Sequence, residues 1–387
     1  MQLSIRSSNS LYLLVDELVG VIKSQNGSTS LTIPASSTTS ASLTRAVFSP
    51  IYIITQTDGM QAWLKIQIAE KAGVAANLVF MKPNELINII YKITGGKYDN
   101  TLSVTDIQWL IFKVLNSKVI IEKYPALAGY FIHNGQSDNV KRIGLSQKLA
   151  DLFDQYEVYR ADMLRNWEKG KITTQTHEEK WQMDIWNSIK TQAGKTFPDK
   201  SRMKSTILEN LSDSNNIHKL QSRVPAVYFF GTRLVTSFHF DILQSVANYI
   251  PVTFYLPNPA PHLYWYEDKS KKALFYQRRK GLPVDEDLVT NPLLINWGKL
   301  VQNTFRLLFS SDEVINLYGD ITQQYDRHSL LSSVQSLIHE NTIANSDERF
   351  SNSMLNDGSI TIKSCFSVAR EVEALYNFLI KLLDENP

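Results

Sequence analysis

The feature that most constrains the fold is a twofold alternation of buried strand and amphipathic helix between residues 47 and 96. "VFSPIYIIT" reads as a buried strand, and the segment after it places Met60, Trp63, Leu64, Ile68 and Ala72 on one helical face, with Gly73 as C-cap. "AANLVF" gives a second strand and "NELINIIYKI" a second helix, stopped at Gly95 and Gly96. The pattern returns at "AVYFFG" (Ala226 to Gly231), a helix over "FDILQSVANYI" and the strand "VTFYLP". Strands separated by helices pair in parallel, so the fold class is α/β with a doubly wound parallel sheet.

Such a sheet commonly grips a phosphate at its first turn, which requires GxxxxGK[ST]: glycine amides to wrap the anion and a lysine to neutralise it. Between the strand at 51–54 and its helix the chain has Thr55, Gln56, Thr57, Asp58, Gly59 and Met60. Asp58 is expected to cap the helix, which sets a carboxylate where the exposed amides would otherwise draw a phosphate. "AGKT" at Ala193 to Thr196 has Ile189 where the first glycine belongs. The magnesium-holding acid of an NTPase would end a buried strand. "AVYFFG" ends instead in Phe230 and Gly231, and the next carboxylate is Asp241, inside the following helix. No working ATP site and no cofactor are expected. "HEEKW" from His177 has Trp181 where a second zinc ligand would stand, and no GxSxG elbow is present.

From about Ser103 to Leu211 the pattern is helical throughout, an all-helical insertion in the α/β domain. In "GLSQKLADLFDQYEVYRADMLRNWEKG" the apolar stripe is Leu145, Leu149, Leu152, Phe153 and Tyr156, opposite Gln147, Lys148, Asp151, Asp154 and Gln155. Asp151, Asp154 and Glu157 recur at i, i+3 and i+6, either a metal or acid/base cluster or, as base rates favour, a solvated polar face. The expected organisation is a helicase-like α/β domain over 1–102 and 212–350, the helical insertion over 103–211, and the start of a second domain over 351–387. That last part begins with "SITIKSCF", read as a strand, and the helix "AREVEALYNFLIKLL". One strand and one helix do not complete a sheet, so the chain is expected to be the N-terminal piece of a longer protein.

Composition enters as an exclusion. The single cysteine, Cys365, cannot form an intrachain disulfide, and the run "LYLLV" is broken at once by Asp16 and Glu17, so a cytoplasmic location is expected. The Ser/Thr-rich stretch from Gly27 to Thr44 cannot bury much apolar surface and reads as a flexible insertion. A formal net charge of +2 does not by itself imply nucleic acid. Its distribution does more. Lys269, Lys271, Lys272, Arg278, Arg279 and Lys280 interleave with Phe275 and Tyr276 just after Tyr264, Trp265 and Tyr266. Cations beside stacking faces suit single-stranded nucleic acid, although a soluble basic loop capped by core aromatics has the same composition.

The segments "TDGMQAWLKIQIAEKAGVAANLVF", "KLADLFDQYEVYRADMLRNWEKG", "NPLLINWGKL" and "REVEALYNFLIKLLDENP" closely resemble, in the same order, the gamma chains of exodeoxyribonuclease V, the RecC family. The resemblance implies a P-loop-helicase-like parallel sheet of superfamily 1 type with a degenerate ATP site. It also implies a non-catalytic subunit of a helicase-nuclease complex in double-strand break repair and recombination. Its partners would be a RecB-like helicase-nuclease subunit, a RecD-like helicase subunit, and single-stranded and forked DNA. The family's hotspot-reading surface maps onto Gln56 in the first turn and onto Asp151, Leu152, Asp154 and Arg160 in the "ADLFDQY" helix, whose carboxylates would accept hydrogen bonds from base amino groups. Asp58, Ala62, Lys82 and Asn88 occupy positions of that surface where the family has Thr, Gln, Leu and Trp. Strand handling is therefore expected to persist, with the octamer-type specificity altered or absent. Two further readings stay open: an autonomous helicase, disfavoured by the missing lysine and acid, and an interaction scaffold that binds only partner subunits.

Overall fold

The computed structural model describes residues 3–27, 50–96, 103–133, 135–174, 176–194, 200–232, 236–260, 291–308, 317–343 and 350–385. It divides into two compact units, 1–258 with 300–321, and 259–299 with 322–387.

The first unit opens with a strand that the sequence pattern did not disclose, β1 (Leu3–Ser8), followed by α1 (Leu11–Gly27). Then come β2 (Ile51–Ile54), α2 (Asp58–Ala72), β3 (Leu78–Met81) and α3 (Pro83–Ile93), the expected strand-helix pairs. The helical layer follows: α4 (Val104–Leu115), α5 (Lys118–Lys123), α6 (Pro125–Ala128), α7 (Asn139–Tyr159), α8 (Ala161–Glu168), α9 (His177–Ala193), α10 (Lys200–Asn210) and α11 (Ser214–Arg223). It is not helical throughout. A small antiparallel hairpin, β4 (Ile132–His133) with β5 (Gln136–Ser137), turns at Gly135, whose φ of +77° suits a residue without a Cβ. The sheet resumes with β6 (Val227–Phe230), α12 (Ser237–Val246) and β7 (Val252–Pro257).

The strand order is β3-β2-β6-β7-β1-β8, with β8 at Leu317–Ile321 and every neighbouring pair parallel. All strand C-termini therefore share one edge. Side chains alternate across the pleat. Tyr228, Phe230 and Tyr255 join Leu14, Leu18, Leu64 and Ile68 of α1 and α2 in one core, while Phe229 and Phe254 stack on the other face at 4.6 Å. Helix α2 ends as its pattern implies, at Gly73 with φ of +83°. A separate core lies in the helical layer, where Leu149 and Phe153 of α7 meet Ile107 and Ile111 of α4, Trp167 of α8, and Ile185 and Trp186 of α9. Each such side chain contributes roughly 1.5–3 kcal/mol by leaving water.

The second unit contains α13 (Pro292–Trp297), α15 (Leu330–His339), α16 (Asn352–Leu355) and α17 (Val368–Glu385), while α14 (Lys299–Leu308) lies almost wholly in the first. Asn291 caps α13 through its side chain and ties it to Thr342 O at 2.9 Å. Arg327 pairs with Glu340 at 2.7 Å. "SITIKSCF" is not a strand: residues 359–366 are irregular, and Phe366 is 92% exposed. Its alternating pattern suits a pleat, yet no strand lies alongside it among the described residues. Helix α17 forms as expected, with no buried residue. Among the described residues no helix is long and apolar enough to cross a membrane. Most of the Ser/Thr-rich stretch and the whole basic stretch, with Lys271, Lys272, Arg278, Arg279 and Lys280, lie outside the described residues.

Candidate nucleic-acid interface

In an open parallel sheet, ligands meet the carboxyl ends of the strands where chain progression reverses. Here that point lies between β2, from which the chain proceeds outward to β3, and β6, from which it proceeds the other way to β7. The turns after β2 and β3 are neighbours because the strands pair in register, Ile54 opposite Met81, and Thr55 N donates to Met81 O at 3.1 Å. Gln56, Asp58 and Ala62 are exposed on the β2 turn and the first turns of α2, and Lys82 is exposed after β3. Lys82 Nζ lies 3.6 Å from Asp58 Oδ1, so two of the expected surface residues are in direct contact. Asn88, on α3, is half-buried.

The cap of α2 differs from expectation. Thr57 is the N-cap, its Oγ1 accepting from Met60 N at 3.3 Å, and Asp58 is the first helical residue, 84% exposed. "TQTDG" offers two residues of capping type, and the helix begins one position earlier than the carboxylate reading requires. The consequence for an anion is similar: a free amide is already satisfied and a carboxylate stands beside the helix N-terminus. After β1 the turn is Ser8, Asn9, Ser10, with Ser8 Oγ accepting from Ser10 N at 3.0 Å and neither glycine nor lysine present. After β6 stand Gly231 and Thr232, the latter donating from Oγ1 to Ile54 O at 3.3 Å. Asp241 sits within α12 and pairs with Lys204 of α10.

The "ADLFDQY" residues belong to α7. Asp151 is exposed, Leu152 is half-buried against the helical core, and Asp154 pairs with Lys200 Nζ at 2.7 Å. Glu157 corrects the picture of a solvated acidic face: it is buried and accepts the Lys200 backbone amide at 3.2 Å. Two of the three carboxylates thus hold the start of α10, and among the described residues no group of three His, Cys, Asp or Glu could hold a metal ion. Arg160 caps α7, is exposed, and lies 5.7 Å from the Tyr156 ring. It lines an open cavity of about 600 Å³ with Arg165, Lys204, Ser237, Phe238 and Asp241. Arg165 pairs with Asp162 at 2.5 Å. The cavity presents guanidinium and ammonium groups interspersed with carboxylates and the aromatic rings of Tyr159 and Phe238, a lining able to take phosphates and base edges together.

The first turn of α12 links the two clusters. Ser237 and Phe238 line the cavity. On the same turn the buried His239 lies 2.8 Å through Nε2 from Asn84 Oδ1 on α3, and 2.7 Å through Nδ1 from Thr236 Oγ1. Burial, with Lys200 adding repulsion, lowers the His239 pKa to about 4, so the ring is neutral at neutral pH. A neutral ring donates from Nε2 to Asn84 and accepts at Nδ1 from the Thr236 hydroxyl. Lys204, Arg165 and the His239 bridge were not singled out from sequence. Only the N-cap pattern of Thr236 before "SFHF" offered a local signal, and it marks a helix start rather than a site.

Residues 3–341 match the family described as RecC, N-terminal domain. The chain is 28% identical to the RecBCD enzyme subunit RecC of Escherichia coli, over 88% of this chain and 33% of that one. It is 26% identical to the same subunit of Haemophilus influenzae, over 88% and 34%, and 22% identical to that of Mycobacterium tuberculosis, over 88% and 31%. It spans about a third of the length of these curated relatives. With an α/β sheet whose first turns lack a phosphate grip and a family match across most of its length, the chain belongs to the RecC family, within the N-terminal domain.

Proposed function

We propose that this chain is a non-catalytic DNA-handling part of a RecBCD-type helicase-nuclease complex acting in double-strand break repair and recombination, probing unwound strands for a Chi-like hotspot. Its α/β part would be a degenerate helicase-like domain of superfamily 1 type over 1–102 and 212–350, the helical layer over 103–211 its insertion, and 351–387 the start of a second domain. Its partners would be a RecB-like helicase-nuclease subunit, a RecD-like helicase subunit, and single-stranded or forked DNA, in the cytoplasm. The observation that carries the reading is the linkage at the sheet edge. Gln56, Asp58 and Lys82 on one side and Arg160 on the other are exposed and joined through the first turn of α12. Asp58, Ala62, Lys82 and Asn88 stand where the resemblance has other residues, so the octamer-type hotspot preference would differ or be absent.

The test is strand binding by the chain with Gln56→Ala and Arg160→Ala together. Both side chains are exposed, so stability should change by less than about 0.5 kcal/mol, while affinity should fall about tenfold, as for loss of one or two polar contacts of 1–3 kcal/mol each. Unchanged affinity would remove this surface from the account. The alternative is a scaffold binding only partner subunits. It predicts no strand binding by this chain at all.

A further inference from the structure

The helical layer carries a second surface that the sheet-edge cluster does not use. On α4 and just beyond it, Trp109, Phe112, Lys113 and Asn116 recur at i, i+3, i+4 and i+7 and so share one face. Trp109 is 55% exposed and meets Phe112 edge-on, with ring centroids 5.9 Å apart. Behind them lies Arg142 of α7, only 4% exposed, its guanidinium 5.5 Å from the Phe112 ring and 5.0 Å from Phe131. Nη1 donates to Asn116 Oδ1 at 3.0 Å and to Asn139 Oδ1 at 3.2 Å, and Nη2 donates to Ser137 Oγ. All three acceptors are neutral. Nε has no partner among the described residues. A buried cation ordinarily has a carboxylate beside it, and aromatic faces offset only part of that need. Asp138, one turn earlier, has its Oδ1 engaged with the amides of Val140 and Lys141 at 2.9 and 3.1 Å.

In the turn that precedes the hairpin Tyr130 is 54% exposed, and Lys141 Nζ lies 6.0 Å from its ring centroid and 3.0 Å from His133 Nε2. The Arg142 guanidinium packs against Phe112 of α4 and against Phe131, the neighbour of Tyr130, and so lies between the two groups. We propose that this face is a second contact for single-stranded nucleic acid, indifferent to base sequence, in which Trp109 and Tyr130 stack bases while Lys113 and Lys141 meet phosphates. The inference rests on the strand-handling reading and adds a site at the end of α7 opposite Arg160. Phosphates held by Lys113 and Lys141 would bring negative charge near the buried Arg142 without touching it, and planar bases use exposed rings that an acidic polypeptide alone would leave uncovered. Every base has a π face, so stacking tolerates any sequence.

The experiment uses the whole chain and labelled oligo-dT and oligo-dA, with poly-glutamate as the acidic-polypeptide probe. Trp109→Ala and Tyr130→Ala should each weaken both oligonucleotides about tenfold, with the melting midpoint unchanged because both rings are largely exposed. Lys141→Gln should flatten the salt dependence. Wild-type affinity in the double aromatic variant, with Arg160→Ala still weakening the strand, would overturn this inference and leave the sheet-edge reading standing. Failure of the wild-type chain to bind either oligonucleotide would overturn both. Loss of poly-glutamate binding with strand affinity intact would make the face a docking surface for an acidic protein and likewise overturn the proposal.

Discussion

His239 of α12 and Asn84 of α3 are joined by a 2.8 Å hydrogen bond across 155 residues of chain. This bond fixes the first turn of α12 between the sheet-edge turns and the Arg160 cavity. The folded pKa of His239 is lowered from 6.5 to about 4, so the fold holds the neutral ring. The associated stability is complete above pH 6.5 and is lost as pH falls from 6.5 toward 4, on the order of 3 kcal/mol in all. His239→Gln should lower stability at pH 7.5 by about 1–2 kcal/mol and remove most of the decline in that window, as followed by urea denaturation against pH.

Glu179 governs a lower window. Burial raises its pKa, but hydrogen bonds from the Thr174 hydroxyl, the Trp167 indole and the Thr173 and Thr174 amides outweigh burial and hold it at about 2, against 4.5 unperturbed. Stability from this group is full above pH 4.5 and is lost as pH falls toward 2. Glu179→Gln should shift the acid midpoint of unfolding upward and abolish the slope it contributes, measured by acid titration of circular dichroism.

The two fully buried tryptophans of the helical core should respond differently to the same change. Trp167 Nε1 donates to Glu179 Oε1 at 2.9 Å, whereas Trp186 Nε1 has no partner among the described residues. Replacing Trp167 by Phe deprives a buried carboxylate of a donor, while replacing Trp186 by Phe removes an unsatisfied one. Trp167→Phe should therefore cost about 1–2 kcal/mol more than Trp186→Phe in chemical denaturation. Equal costs would indicate that packing volume alone sets the effect.

Nucleotide should not stabilise the chain. The turn after β2 satisfies Met60 N with Thr57 and adds the Asp58 carboxylate, and the turn after β1 is Ser8, Asn9 and Ser10. A ligand at 100 times its Kd adds about 2.7 kcal/mol, enough to move a melting midpoint by several degrees. Millimolar Mg-ATP is expected to leave the midpoint in place, and a shift of that size would revive an ATP-driven reading.

Helices α2 and α3 were legible because their apolar residues repeat at the helical period and Gly73 and Gly95 end them. Strand β1 was not, because "LSIRSS" is short and mostly polar, and its neighbours β7 and β8 arrive about 250 and 310 residues later. "SITIKSCF" failed the opposite way, carrying strand alternation without a strand beside it. Glu157 shares its i, i+3, i+6 spacing with Asp151 and Asp154, yet α10 covers it, and helical spacing cannot report what another helix buries. The candidate interface was legible only by resemblance. Strand register sets the turns of Gln56 and Lys82 side by side, the His239 bridge ties α3 to the helix that lines the Arg160 cavity, and neither relation lies within any one sequence window.

The most direct measurement of the central claim is fluorescence anisotropy of a labelled single strand and a labelled fork, titrated with the chain at several salt concentrations. Strand handling predicts measurable affinity at low salt, preference for the fork, and a steep fall with salt as phosphate contacts release counterions, with a log–log slope of about −0.7 per contact on a single strand. Absence of binding to either substrate at low salt, or binding indifferent to salt, would contradict the account.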